Sequence, residues 1–256
     1  PPPPGGAQRL PPPGGAASTA LSAHSIDKKF PGVLANDSVD FDVRAGEVHT
    51  LLGENGAGKS TLLDLISGRL KPTHGQIDIG STVKIGYYDQ LGRDLNVNQR
   101  VREAVAGDKG DPSVEDNQLM RQFWFDGDAQ FAPISTLSGG ERRRLQLLLT
   151  LIEQPNVLLL DEPTNDLDLD TLRALEDYLD EWPGIVVVVS HDRAFIDRTV
   201  EEILALDGEG GRGEVGRQRA VDAQGGNGLL DERLDQGAEL GFHGISIADK
   251  RSAIVR

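Results

Sequence analysis

Gly53-Glu54-Asn55-Gly56-Ala57-Gly58-Lys59-Ser60-Thr61 has the residue types and the spacing to hold a phosphate chain. It fits the pattern G-x-x-x-x-G-K-[S/T]. Gly53, Gly56 and Gly58 let successive backbone N–H groups turn inward, with Glu54, Asn55, Ala57 and Thr61 completing the cradle. The following segment offers a helix N-terminus to the same anion. Lys59 can reach the β- and γ-phosphates, and the Ser60 hydroxyl can ligate Mg²⁺. The stretch follows the apolar run Val48–Leu52 and precedes the helix-compatible Thr61–Gly68. That context separates a phosphate loop from a glycine-rich turn between a strand and a helix. The implied ligand is a nucleoside triphosphate.

Further residues suit the same chemistry. Val157-Leu158-Leu159-Leu160-Asp161-Glu162 is an apolar strand with two acids at its carboxyl end. Asp161 is placed to hold the Mg²⁺ shell and Glu162 to polarise an attacking water. Two acids capping a strand are common, but here Pro163-Thr164-Asn165-Asp166-Leu167-Asp168 follows directly. Leu137-Ser138-Gly139-Gly140-Glu141 precedes a helix, so Ser138, Gly139 and Gly140 can present a hydroxyl, amides and a helix terminus to a phosphate. Alone it could be an N-cap turn. Gln90 ends the strand Ile85–Gln90, where an amide can join the metal shell or position water. His191 follows the apolar run Ile185–Ser190 and could contact a γ-phosphate. Phe30 could stack on an adenine ring, although a lone aromatic is as often core.

The elements that must position these groups can be read from periodicity. Val39, Phe41 and Val43 alternate with polar residues, which predicts a half-buried strand. Ile77–Ile79 and Val83–Tyr88 read as short strands. Val157–Leu160 and Ile185–Val189 are continuously apolar, as in parallel strands covered on both faces. Asn98–Ala106, Ser113–Phe125 and Asp170–Leu179 read as helices, and so does Glu141–Glu153, with Leu145, Leu148, Leu149 and Ile152 on one face. Glu201–Leu206 reads as a last strand. Residues 1–21 form a Pro/Gly-rich leader of flexible character, with the folded unit expected over 22–207. Residues 208–256 are Gly-rich, with a weak helical hint at Leu229–Leu240. No internal repeat is visible, so one nucleotide-binding unit is expected.

Composition narrows the setting. The 256 residues carry a formal net charge of −15, with a pI near 4.7 and no cysteine. Disulfides, thiolate metal sites and a cysteine nucleophile are excluded. The acidity argues against a surface for bare nucleic acid, so direct DNA binding is not expected, although a local patch can still dock on a ribosome or membrane protein. No stretch approaches the roughly twenty apolar residues that span a bilayer, and no secretory signal is visible. The expectation is the cytoplasm, or the inner face of a membrane.

Taken together the motifs resemble the ATP-binding cassette (ABC) family over about residues 22–207. The resemblance implies an α/β P-loop NTPase with a parallel core sheet, an antiparallel β element and a helical insert at about 92–136. It implies ATP and Mg²⁺ as ligands, and these roles: Walker A at 53–60, Walker B at 157–161 with catalytic Glu162, the signature at 137–141, the Q-loop at Gln90, the D-loop at Asn165–Asp168, the switch at His191 and the A-loop aromatic at Phe30. In that family two cassettes sandwich two ATP molecules head to tail. A second cassette, as homodimer or partner chain, is therefore implied.

Two branches of the family are represented. Asp161–Asp168, Leu137–Gln146, Ser190–Arg193 and Ile85–Gln90 resemble ABC-F proteins, which act on the ribosome. Lys29–Asn36 and Gly46–Asn55 are similar to sugar or nucleoside importer ATPases, with a junction near residues 75–84. The long charged linker of ABC-F proteins and their second cassette are missing from this sequence. An ABC-F-like ATPase is the first reading and a transporter ATPase subunit the second. A non-catalytic or chimeric cassette is the third. In the transporter reading Leu91–Thr136 carries the docking surface for membrane subunits, with Phe123-Trp124-Phe125 as a docking knob. Packing of those rings inside the insert is the favoured alternative.

Overall fold

The computed structural model describes residues 19–206, apart from residues 45, 53–55, 57, 90, 91, 93 and 201. Gly53, Glu54, Asn55, Ala57 and Gln90 lie outside the described residues, as do most of the leader and the segment after Leu206.

Two sheets organise the chain. Strands β1 (Thr19–Phe30), β2 (Val33–Arg44) and β4 (His74–Ile79) form an antiparallel sheet in the order β2-β1-β4. Strands β3 (Val48–Leu52), β5 (Ile85–Tyr88), β6 (Val157–Asp161), β7 (Ile185–Val189) and β8 (Glu202–Ala205) form a parallel sheet in the order β5-β6-β7-β3-β8. All residues of β6 and β7 are buried, as their unbroken apolar runs require.

Successive residues of these strands enter different cores. Val157, Leu159, Val187 and Leu51 join Leu62, Leu63 and Ile66 of α1 (Lys59–Ile66) and the inner face of the antiparallel sheet, Phe41 included. Leu158, Leu160, Val186 and Val188 join the opposite cluster. That cluster includes Leu145 and Leu148 of α4 (Gly139–Ile152), Leu172 and Leu175 of α6 (Leu169–Glu181), Phe195 of α7 (Arg193–Thr199) and the insert. The insert contains α2 (Val101–Ala106) and α3 (Val114–Gln122). A four-residue helix, α5 (Pro163–Asp166), follows β6.

Tertiary contacts shift several boundaries. Helix α2 begins at Val101 rather than Asn98, because Ile134 and Ser135 donate to the carbonyls of Gln99 and Val97 and hold that stretch extended. Helix α1 begins at Lys59, two residues before the expected start, with Gly58 as its N-cap in the left-handed region. Strand β1 begins at Thr19 and was hidden from periodicity by bulges. Ser25 (φ 49°) and Ser38 (φ 51°) interrupt the alternation, and Asp40 and Asp27 accept from their amides at 2.7 and 2.8 Å.

Helix α3 ends at Gln122, before the expected Phe125. Phe125 N donates to Met120 O at 2.7 Å and Trp124 N to Arg121 O at 3.1 Å, the bond pattern of a Schellman motif. Trp124 therefore occupies the left-handed position (φ 55°) that usually goes to glycine. The left-handed region costs an L-residue about 1–2 kcal/mol. Phe123 and Phe125 are fully buried, as the packing expectation holds, but Trp124 is 44% exposed and departs from it.

Candidate nucleotide site

The carboxyl ends of β3, β6 and β7 lie along one edge of the parallel sheet. Leu51 of β3 and Asp161 of β6 both register with Val189 of β7. The glycine-rich loop, Glu162 and His191 each follow one of these ends, the position where open parallel sheets bind ligands.

Gly58 shows why the loop needs its glycines. A Cβ there would sit 1.9 Å from the Ala35 carbonyl oxygen and 2.8 Å from Asn36 Nδ2, and its φ is +78°. The loop turn is thus wedged against β2, with Asn36 Nδ2 donating to Gly58 O at 3.3 Å. Asn36 is almost wholly buried and was not singled out by sequence; the only signal was a polar residue in a strand. Gly56 (φ +92°) faces open space and is required by its backbone alone. Lys59 and Ser60 lie in the first turn of α1, which contains no acidic residue. No acidic side chain in that turn competes with an anion for the positive end of the helix dipole.

Lys59, Asp161 and Glu162 are each less than a tenth exposed. Lys59 Nζ lies 3.2 Å from His191 Nε2, and the same nitrogen lies 3.2 Å from Glu162 Oε1. One imidazole nitrogen carries either a proton or a lone pair, so it can serve the lysine as acceptor or the carboxylate as donor, not both. Burial pushes Lys59 below the ordinary lysine range, against the attraction of Glu162 and Asp161. Burial pushes Asp161 above the ordinary aspartate range, opposed by a hydrogen bond from Ser60 and reinforced by Glu162, Asp64 and Asp89.

Glu162 adopts φ 50° and ψ 51°, a left-handed conformation for a side chain that does not favour it. Its amide donates to Val189 O at 2.8 Å, which ties the turn to β7. Strain of this kind marks a geometry the surroundings impose.

Asp161 Oδ1 and Glu162 Oε2 are buried without a hydrogen-bond partner. Uncompensated carboxylate oxygens are expensive, and a hard cation would satisfy them. Among the described residues no group of three or more His, Cys, Asp or Glu could hold a metal. A magnesium ion at Ser60 and Asp161 would share its remaining positions with phosphate oxygens and water, the usual habit of that ion. The donor set fits it.

Other expected residues stand apart. Ser138, Gly139 and Gly140 are exposed at the head of α4. Ser138 Oγ accepts from Glu141 N at 3.3 Å, and Glu141 Oε2 accepts from Ser138 N at 2.8 Å, a reciprocal capping box. Helix α4 packs on edge strand β5, three strands away from β3, or about 14 Å at the usual spacing. Phe30 is 41% exposed at the end of β1, with the Lys28 ammonium 5.2 Å from its ring centre. An accessible aromatic face is present there.

A family model described as ABC transporter matches residues 36–165, just over half of the chain. The chain belongs to the ABC family. The cassette is 43% identical over 197 residues to the uncharacterized ABC transporter ATP-binding protein YfmR of Bacillus subtilis, covering 74% of the chain and 31% of that protein. It is 41% identical over 195 residues to the energy-dependent translational throttle protein EttA of Escherichia coli K12, covering 74% of the chain and 35% of that protein. The chain thus spans about a third of the length of these relatives. A solved ATP-binding subunit of an ABC transporter superposes with a TM-score of 0.67 at 22% identity, over 86% of this chain and 94% of that chain. That likeness establishes the shared ABC fold. No helix among the described residues is long and apolar enough to cross a membrane.

Proposed function

We propose that this cassette binds MgATP at the loop 53–61 and hydrolyses it between two cassettes arranged head to tail. The observation that supports it most is the buried Asp161–Glu162 pair, with an unpartnered oxygen on each, beside Lys59 and His191. Phe30 would stack on the adenine, and the loop amides would take the phosphates. Lys59 would turn from His191 to the β- and γ-phosphates, whose negative charge would stabilise its ammonium. Mg²⁺, held by Ser60 and Asp161 with Gln90 as a further ligand, would neutralise charge on the phosphate oxygens. Glu162 would orient or deprotonate the attacking water, and His191 would hold the γ-phosphate and steady Glu162. Ser138, Gly139 and Gly140 of the second cassette would close over the same phosphate, which accounts for their exposure here.

The branch we favour is a translation ATPase acting on the ribosome from the cytoplasm, supported by the identity to EttA over 195 residues. A transporter subunit docked on membrane partners is the second reading; the exposed Trp124 and the importer-like segments Lys29–Asn36 and Gly46–Asn55 favour it. Fractionation of cells making tagged Glu162→Gln tests both. Sedimentation with ribosomes that requires ATP supports the first, and recovery with membranes replaces it with the second. Lack of ATP turnover by the wild-type chain, alone and with its partner, would refute the enzyme.

A further inference from the structure

We propose that Arg144 is a positioning residue, coupling the Trp124–Phe125 corner of the insert to the segment that follows Glu162. The inference rests on the ATPase reading above and adds to it a residue that touches neither nucleotide nor metal.

Arg144 joins three elements. It belongs to α4, and its guanidinium lies 5.7 Å from the centre of the Trp124 ring and 5.3 Å from that of Phe125. Its Nη1 lies 3.6 Å from Asp168 Oδ2. Asp168 uses its other oxygen to cap α6, accepting from Thr171 N at 2.8 Å. Glu162 opens the short turn, α5 follows, and Asp168 closes it, so the cation grips the far end of the segment that the catalytic carboxylate begins. Arg144 Nε is buried without a hydrogen-bond partner. The guanidinium is thus aligned by the ring faces on one side and a carboxylate on the other.

The Trp124 backbone points the same way. A Schellman position normally goes to glycine, yet the chain places its largest side chain there and leaves it 44% exposed. Beside it runs a groove lined by Gln122, Trp124, Asp170, Arg173, Ala174 and Asp177, which separates the insert from α6. Gln122 Nε2 donates to Ala174 O across it at 3.4 Å. A shift of the insert against α6 across this groove would be passed on by the Arg144 stack. With Asp168 half exposed, the ion pair adds little stability by itself. Its value lies in alignment.

The chain has two tryptophans, so Trp182→Phe leaves Trp124 as the sole emitter. In that background, a magnesium complex of a non-hydrolysable ATP analogue should shift Trp124 emission. The shift should vanish in Arg144→Lys, which keeps the charge but loses the planar fork, and in Asp168→Asn, which keeps the cap but loses the charge. Both variants should bind a fluorescent nucleotide as the parent does while kcat falls at least about fivefold, roughly 1 kcal/mol in the barrier. Trp124→Gly should lower kcat similarly and should not lower the melting temperature, because glycine suits that backbone. Unchanged emission in the parent, or parental kcat in Arg144→Lys and Asp168→Asn, would overturn the proposal. Failure of the parent to bind nucleotide at all would overturn the ATPase reading and this inference with it. Normal binding with silent emission overturns this inference alone.

Discussion

In the proposed head-to-tail dimer the sheet edge at Glu162 and the α4 head at Ser138 of a second cassette would meet the same phosphate, yet they are built on opposite plans. At the sheet edge charge is buried and incompletely matched: Lys59 and Glu162 share one nitrogen of His191, and two carboxylate oxygens have no hydrogen-bond partner. At Ser138 the hydroxyl and the amide are exposed to solvent or satisfied by Glu141 within the capping box. The first arrangement is incomplete without a ligand and holds its groups in place for one. The second is a stable surface that a ligand carried by another molecule can meet. A site divided in the proposed way would favour reaction only when two surfaces close.

Substitutions on the two sides should differ in kind. The largest effect is expected at Glu162: Glu162→Gln should cut turnover by about 10²–10⁴-fold, the usual worth of a positioned acid–base group, while nucleotide binding persists. Single-turnover hydrolysis and a binding titration separate those two quantities, and wild-type turnover would remove Glu162 from the mechanism. Lys59→Ala should act on binding itself. Loss of charge-assisted hydrogen bonds worth about 1.5–3 kcal/mol weakens affinity by about 10–150-fold in a fluorescent-nucleotide titration. Unchanged affinity would mean that the loop amides suffice.

Gly58→Ala should combine a left-handed penalty of about 1–2 kcal/mol with a backbone clash, lowering both melting temperature and affinity. Gly56→Ala meets open space and should show only the first of these costs, so equal losses at the two positions would contradict the wedge against β2.

The smallest change belongs to the surface side. Ser138→Ala should cost α4 about 1 kcal/mol at neutral pH through the lost cap. The Ser138 side chain and amide hold the Glu141 carboxyl below the ordinary value of 4.5. A lowered acid stabilises the fold above that value and ceases to do so as pH falls through its folded pKa. The gap between wild type and Ser138→Ala should therefore narrow on acidification, and denaturant melts at a series of pH values would detect a gap that instead widens.

Much of this was legible because it is local. The unbroken apolar runs of β6 and β7, the alternation of Val39, Phe41 and Val43, and the Ser138–Glu141 cap all declare themselves within a few residues. What stayed hidden depends on distant partners. Gly86 reads as a chance glycine in a strand until Pro155 and Thr150 are found where its Cβ would stand, at 2.8 and 3.1 Å. Asn36 gains its meaning from Gly58, and β1 loses its alternation to bulges paired with Asp27 and Asp40. Trp124 looked like its phenylalanine neighbours because composition cannot show a left-handed turn. Arg144 sat inside an Arg-Arg-Arg run with nothing to set it apart.

The division of the parallel strands between two cores has a consequence for Asp161. In β6 the odd positions 157 and 159 face α1 and the even positions 158 and 160 face α4. Asp161 continues the odd series, and so its carboxyl meets Ser60 on α1. Parity, more than proximity, gives this acid its address. A chain one residue shorter between Val157 and Asp161 would keep every apolar side chain but the one removed, and would still turn the carboxylate toward the wrong half of the molecule.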